Sequence, residues 1–221
     1  MITKTINCWI FDMDNTLYSA RSNIFIQISD RMTEFIKEKF DLKLTLARNL
    51  QYDLFNRYGT TLRGLMIEYN IDPLSFLEFV HDIDVNDIDP APELEKLLAM
   101  LPGRKVIYSN GLADHCARVA KRLGINHHFD HIYDIVASDY APKPDPAPYD
   151  KLISLLSIDP KTTVMIEDIA NNLKPAADLG MTTVWLENDF NWAKAGCDQP
   201  YVQNIAKDII SFLRAVVNRE K

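Results

Sequence analysis

The chain has little that would mark it as secreted, membrane-bound or nucleic-acid-binding. Its three cysteines, Cys8, Cys116 and Cys197, are odd in number and share no metal-ligand spacing, which fits a reducing compartment. It has no basic block: 24 Lys and Arg face 31 Asp and Glu, for a net charge of −7. That balance argues against a polyanionic nucleic-acid partner; a small anion would need a few local cations inside an acidic envelope. No apolar run approaches membrane-spanning length, and no long apolar segment with a small-residue cleavage site opens the chain. A cytoplasmic protein with no membrane partner is expected. Internal repeats and low-complexity segments are also missing.

What is present is enough apolar material for a sizeable core. At 221 residues and 47% hydrophobic, the chain suffices for one large domain, or for a core domain carrying a smaller insertion. Cys8-Trp9-Ile10-Phe11 reads as a first buried strand. Residues 22 to about 88 then change character. Ile24, Ile28, Met32, Phe35 and Ile36 recur at helical spacing, and further helices are predicted around 46–57, 61–69 and 73–81. Gly59 is placed to end one of them, and Asp72-Pro73 to start another as N-cap and first helical position. Asp89-Pro90-Ala91-Pro92 reads as a stiff return linker.

From there strand and helix alternate. Strands are predicted over 105–109, 133–137, 163–166 and 182–186, and helices over 94–101, 115–123, 149–156 and from 167 to about 179. Ile205, Ile209, Phe212, Leu213 and Val216 mark a closing helix. Continuously apolar strands in such alternation predict an α/β fold: a Rossmann-like parallel sheet flanked by helices. The core is expected from residues 1–15 and 90–221, with an all-helical insertion over 20–88.

Four polar clusters fall at or near the carboxyl ends of these strands, where open parallel sheets bind their ligands. They are Asp12 with Asp14, Ser109-Asn110-Gly111, Lys143, and Glu167-Asp168. Asp12 and Asp14 start on the same side of a strand. Two like charges that close are costly unless a divalent cation, a shared proton or both compensate. Each residue also has an ordinary reading: Asn110-Gly111 as a turn, Lys143 as a surface lysine, Asp168 as a helix cap. Four such clusters in order, with acid, hydroxyl, amine and acid, make a site. The run His127-His128-Phe129-Asp130-His131 has the residue types of a metal cluster. It follows Gly124 in a connection and has no partner motif, so a connecting segment is expected.

With those residues in place, the chain resembles the haloacid dehalogenase superfamily of aspartate-nucleophile hydrolases. Asp12-x-Asp14-x-Thr16 matches its first motif, Ser109 its second, Lys143 its third, and Glu167-Asp168 with Asn172 its fourth. The superfamily carries a helical cap where this chain has its insertion. The resemblance implies that Asp12 attacks phosphorus to form an aspartyl phosphate, while Asp14 protonates the leaving oxygen and then activates water. It implies Mg²⁺ held by Asp12, the Asp14 carbonyl and Asp168, with Glu167 as an additional or outer ligand. Ser109, the Asn110 amide and Lys143 would bind the phosphoryl oxygens, with Thr16 and Asn172 in support. In the dehalogenating branch the position of Asp14 is not an aspartate, since a halide leaves without a proton. Phosphate chemistry is therefore expected.

The stretches 58–65, 80–84 and 101–105 further resemble the pyrimidine 5′-nucleotidase branch, which implies a nucleoside monophosphate substrate. Tyr18 could stack on its base, with Thr61 and Arg63 at the ligand; in the alternative readings Tyr18 packs under the insertion, Thr61 caps a helix and Arg63 braces against an acidic residue. The competing enzyme readings are a phosphatase or phosphomutase of sugar phosphates or phosphoglycolate. A non-catalytic phospho-ligand binder is disfavoured because a binder needs no second aspartate.

Overall fold

All four residues of β1, Cys8–Phe11, are buried, as expected of a strand covered on both faces. The computed structural model describes residues 5–19 and 22–218. Residues 1–4, 20, 21 and 219–221, which the expected core and insertion ranges include, lie outside the described residues. After β1 come four helices with no strand between them: α1 (Ile24–Phe40), α2 (Leu44–Tyr58), α3 (Thr61–Tyr69) and α4 (Pro73–His81). Alternation follows, as α5 (Pro92–Met100), β2 (Arg104–Tyr108), α6 (Ala113–Leu123), β3 (His131–Tyr133), α7 (Pro146–Leu156), β4 (Thr163–Glu167), α8 (Leu173–Asp178), β5 (Thr182–Leu186), α9 (Asn191–Lys194), β6 (Asn204–Ala206) and α10 (Ile209–Val217).

Among the described residues six strands form one sheet in the order β3-β2-β1-β4-β5-β6, every pair parallel. Period-two alternation sends neighbouring side chains to opposite faces. Trp9 and Phe11 join a cluster with α5, α6 and α10, while Cys8 and Ile10 join a second one with α7 and α8. Helices α1 to α4 gather a third cluster, around Ile36, Leu54, Leu65, Phe76 and Val80, which Ile135 joins from the segment after β3, while Ile24 and Ile28 of α1 join the first.

Local chemistry sets the helix ends. Gly59 adopts φ 80 and closes α2, its N–H bonding the Phe55 carbonyl. Asp72 caps α4 by accepting from the Ser75 N–H at 2.9 Å, with Pro73 at the first helical position. Three elements depart from the sequence reading. The helix expected from 167 begins only at Leu173, because β4 runs through Glu167 and a short 3-10 turn over Ala170–Asn172 comes first. The strand expected over 133–137 ends at Tyr133, because Asp134 turns the chain there: its carboxylate accepts from Ala137 N and from Ala113 N, both at 2.9 Å. Ile205, expected in the closing helix, lies in the short edge strand β6, and Asp208 caps the helix only from Ile209. Three residues are too few for a periodic signal.

Gly103 tests how tightly the sheet is closed. It has φ +78, and a Cβ there would lie 2.4 Å from the Asn7 carbonyl oxygen, which accepts the Arg104 N–H. Gly124 has φ +80 and open space around it. Gly124→Ala is expected to cost about 1 kcal/mol through backbone strain alone. Gly103→Ala is expected to cost at least about 2 kcal/mol more, because backbone must move. Urea unfolding midpoints at unchanged m-value check the difference; equal costs would show that the sheet yields easily at this point.

Candidate active site

Register assembles the site. Phe11 pairs with Ile107 on one side and Ile166 on the other. The next residues, Asp12, Tyr108 and Glu167, therefore share a row at the carboxyl end of the sheet, with Ser109 and Asp168 one step beyond. The Asp12 N–H continues the ladder to the Ile166 carbonyl at 3.0 Å. The chain then turns, with Leu17 N bonding the Met13 carbonyl and Asn15 at φ 63. Asn tolerates that left-handed conformation better than most residues.

Lys143 is buried at the centre. Its Nζ donates to Asp12 Oδ1 at 2.6 Å, to the Tyr108 carbonyl at 3.0 Å and to Glu167 Oε1 at 3.3 Å. Asn110 brings it there: Asn110 Oδ1 accepts the Lys143 N–H at 2.8 Å, tying the loop after β2 to the loop before α7. Ser109 is buried beside them, its Oγ accepting from Gly111 N at 2.9 Å. One ammonium thus faces the three carboxylates of Asp12, Glu167 and Asp168, whose oxygens lie within 4.8 Å of one another. Burial opposes the Lys143 charge, but Asp12 and Glu167 outweigh it and keep the amine protonated. For Asp12 burial wins. Its pKa is raised even though Lys143, and Thr16 buried next to it, both favour the ionised form. Lys143 therefore offsets only part of the cost of burying the Asp12 charge. Glu167 is raised by burial and by Asp12, and Asp168 is pushed up to about 8 by burial and Asp12.

That imbalance is what a divalent cation corrects. The donors are hard carboxylate oxygens, and Asp12 Oδ2 is buried with no hydrogen-bond partner among the described residues, so the cluster fits a cation such as Mg²⁺. Its members are braced from behind. Asn172 Nδ2 donates to Glu167 Oε1, and the Asn172 carbonyl accepts from Tyr149 at 2.6 Å. Asn188 Nδ2 donates to Asp168 Oδ2 at 2.6 Å, and Trp185 Nε1 to the Asp168 carbonyl at 2.7 Å. Asn188 escaped the sequence reading because it sits in an irregular loop after β5.

Asp14 has separate partners. Its Oδ1 accepts from the Tyr18 hydroxyl at 2.5 Å and from His115 Nε2 at 3.0 Å. Burial would raise its pKa, but the charge and hydrogen bond of His115, with Tyr18, bring it down to about 2. His81, at the end of α4, stacks on His115 with ring centroids 4.6 Å apart. Burial, then the His115 charge, hold His81 down at about 3 and hence neutral. His81 fell within the 80–84 stretch without being read as a site residue, and His115 did not stand out, since a lone His on the core face of a helix is most often packing.

The three candidate substrate residues are spread apart. Tyr18 is buried in the core with its hydroxyl spent on Asp14, so its ring is not a free platform for a base. Thr61 is buried at the start of α3, its hydroxyl toward the Gln51 carbonyl at 3.4 Å, while Thr60 provides the cap. Arg63 reaches out of the insertion to Asp145 at 3.5 Å, two residues past Lys143, which is the brace against an acidic residue. In the histidine run, His127 and His128 approach Glu95 Oε1 at 3.5 and 3.3 Å, while His131 begins β3. They lie before or at the start of β3, at the opposite end of the strands from Asp12.

A parallel sheet with this strand order, crowned by aspartates, a lysine and an acid pair, has the fold of the haloacid dehalogenase superfamily. The chain belongs to the haloacid dehalogenase-like hydrolase family, whose model matches residues 6–180. It is therefore a hydrolase. It is similar to Phosphate metabolism protein 8 of Saccharomyces cerevisiae, 28% identical over 190 residues covering 78% of this chain. The chain spans 59% of that relative's length. Its fold resembles an HAD phosphatase from Thermococcus onnurineus, with TM-score 0.65 and 16% identity over 96% of this chain and 98% of that one. It also resembles a 2-haloacid dehalogenase from Pseudomonas syringae pv. Tomato, with TM-score 0.59 and 19% identity over 98% and 100%.

The excess carboxylates set a stability prediction. Asp168 binds its proton with a pKa of about 8 in the metal-free fold against 3.8 as the ordinary value. Between those values unfolding releases a proton, so stability falls as pH rises through that window. Asp12 and Glu167, also raised, act in the same direction. In EDTA, the melting temperature is expected to fall from pH 5 to pH 8, and Asp168→Asn to flatten the slope and raise the value at pH 8. Millimolar Mg²⁺ should stabilise the wild type far more than the variant. A pH-independent melting temperature in EDTA would contradict this account.

Proposed function

We propose that the protein is a Mg²⁺-dependent phosphomonoester hydrolase acting through an aspartyl phosphate, with pyrimidine nucleoside 5′-monophosphates as substrates. The observation that carries this reading is Asp14: a second aspartate beside the Asp12–Lys143 pair, held by Tyr18 and His115. Expelling a halide requires no proton donor at that place, whereas expelling an alkoxide does. The name of the yeast relative, a phosphate metabolism protein, points the same way.

In this mechanism Asp12 attacks phosphorus as the bond to the leaving oxygen breaks, and Asp14 delivers a proton to that oxygen. Water then attacks phosphorus and gives its proton to Asp14 as the bond from phosphorus to the Asp12 oxygen breaks, which releases phosphate and restores the Asp12 carboxylate. Splitting the displacement in two lowers each barrier, and the acid–base help is typically worth about 10²–10⁴ in rate. With its pKa at about 2, Asp14 is ionised in the free site, the form that accepts the proton from water. The negative charge of an incoming phosphate opposes that ionisation and favours the protonated form needed first. Ser109, the Asn110 N–H and Lys143 neutralise the phosphoryl oxygens. Mg²⁺, held by Asp12, the Asp14 carbonyl and Asp168 with Glu167 alongside, would supply further positive charge to those oxygens. Thr16 and Asn172 support the two acid clusters.

Residues 1–15 and 90–221 form the chemical core in this reading, and the helical insertion, 20–88, serves as its cap. A closed cap excludes water and converts remote binding energy into rate. Arg63 is the cap residue best placed for the substrate, because its Asp145 partner lies in the loop that carries Lys143. Selectivity for the base is assigned to Arg63, with Thr61 shaping the wall behind it.

Three outcomes test the reading. Asp12→Asn should abolish turnover, and EDTA should remove it in a way that Mg²⁺ restores. Asp14→Asn should lose about 10²–10⁴-fold on UMP and less on p-nitrophenyl phosphate, whose phenolate leaves unprotonated. Across UMP, CMP, AMP, GMP, phosphoglycolate and hexose phosphates, kcat/KM should be highest for UMP or CMP, and Arg63→Ala should alter the ranking. A hexose phosphate or phosphoglycolate in first place would end the nucleotidase assignment and leave the phosphatase standing. Full activity in EDTA would remove the metal assignment.

A further inference from the structure

One face of α6 reads the position of the insertion. His115, Arg118 and Arg122 lie three and four residues apart and so form a single stripe along the helix. Each meets the segment that leads the chain out of α4. The His81 ring stacks on His115 with an interplanar angle of 19°. Arg118 donates to the His81 carbonyl at 2.5 Å and to the Ile83 carbonyl at 3.2 Å. Arg122 donates to the Asn86 carbonyl at 3.0 Å. The returning chain is thus clamped along two turns of a core helix, and the clamp ends at the residue that holds Asp14.

His115 is fully buried, and Nδ1 of its ring has no hydrogen-bond partner among the described residues. Its one hydrogen bond there is the 3.0 Å contact from Nε2 to Asp14 Oδ1. A polar ring buried for a single hydrogen bond is poorly explained by packing, since an apolar side chain of similar size would avoid the desolvation cost. With Tyr18 on the same oxygen, Oδ1 of Asp14 carries two donors. The carboxyl rotamer is thereby set, and Oδ2 is left to face a leaving group. Tyr18 is local, four residues from Asp14, whereas His115 is 101 residues away and belongs to the helix that feels the insertion. Room for the His81 ring is made by Gly111, where a Cβ would lie 3.2 Å from His81 Nε2.

We propose that His115 is a positioning residue for Asp14, and that the insertion seats His115 through the His81 ring, so that cap closure and alignment of the proton donor are one event. This rests on the phosphatase reading, in which Asp14 protonates the leaving oxygen. The His81 ring can sit against His115 only while the end of α4 is docked on α6. An open cap therefore leaves His115 with an uncovered face and a freer ring, and Asp14 loses one of its two anchors. Closing the cap restores both before chemistry starts.

The test compares two esters in each protein sample: p-nitrophenyl phosphate and the best alkyl phosphate from a substrate panel. A ratio of rates in one sample is insensitive to how much of the protein is folded, so a partly unfolded variant still reports. His115→Ala is expected to lower kcat on the alkyl ester about 10²-fold more than on p-nitrophenyl phosphate, the low end of what acid–base catalysis supplies. KM should change little, because His115 does not touch the substrate. His81→Ala should show the same split at smaller size, and His81→Phe, which keeps a flat ring, should recover most of it. Equal losses on the two esters would overturn the positioning role. A Phe variant as impaired as the Ala variant would overturn the coupling through the stack. Both comparisons start from a wild type that turns over both esters in an Asp12-dependent way; a wild type inert on both overturns the phosphatase reading and this inference together.

Discussion

Everything at the carboxyl end of this sheet depends on one buried ammonium. Lys143 contributes a single positive charge, and the strand ends bring three carboxylates to it. Burying even a matched ion pair costs several kcal/mol per ion before attraction repays it. A three-to-one mismatch leaves a deficit that the protein alone does not close, and the raised pKa values of Asp12, Glu167 and Asp168 record it. The site is built to be unsatisfied until cationic charge arrives. Its geometry is nevertheless held by neutral groups that orient the charged ones without neutralising them: Asn110 accepts from the Lys143 N–H, and Asn172, Asn188 and Trp185 donate to Glu167 and Asp168. Such preorganisation keeps reorganisation during reaction small.

The two aspartates of the first motif lie two residues apart and are treated oppositely. Burial raises the pKa of Asp12, whereas a histidine and a tyrosine lower that of Asp14. Divergent environments for paired carboxylates are a signature of divided chemical labour. Asp12 stays in the ladder with β4, whereas Asp14 lies where the chain turns and meets His115 on α6.

Much of this was legible in the residues, and what was not has identifiable causes. The end of α2 and the start of α4 followed from Gly59 and the Asp72-Pro73 pair, because capping chemistry is local. The four clusters around Asp12, Ser109, Lys143 and Glu167 were visible because strand-end positions can be read from hydrophobic pattern. The strand after α6 was drawn too long because Ile135 and Val136 are apolar, and the Asp134 side chain that ends it acts through space on Ala113. His115 and Asn188 were invisible for a similar reason: each matters through a partner 101 or 20 residues away. Tyr18 could be read as a base platform or as packing, and its hydroxyl bond to Asp14 was not visible in sequence.

The separate hydrophobic cluster of the insertion bears on how such a protein changes over time. Ile36, Leu54, Leu65, Phe76 and Val80 pack mainly on one another, while the sheet is supported by two other clusters. Substitutions in regions that share few partners combine almost additively. Mutations that reshape the inserted helices therefore draw on a stability reserve largely distinct from the one that holds Asp12, Lys143 and Asp168 in register. A lineage can explore new ligands by drifting in one compartment while the reactive geometry stays under purifying constraint in the other. The exceptions are places where the compartments meet, among them Ile24 and Ile28 in the sheet's cluster, Phe25 and Phe55 against Trp192, Arg63 with Asp145 and His81 with His115, and there drift must be correlated.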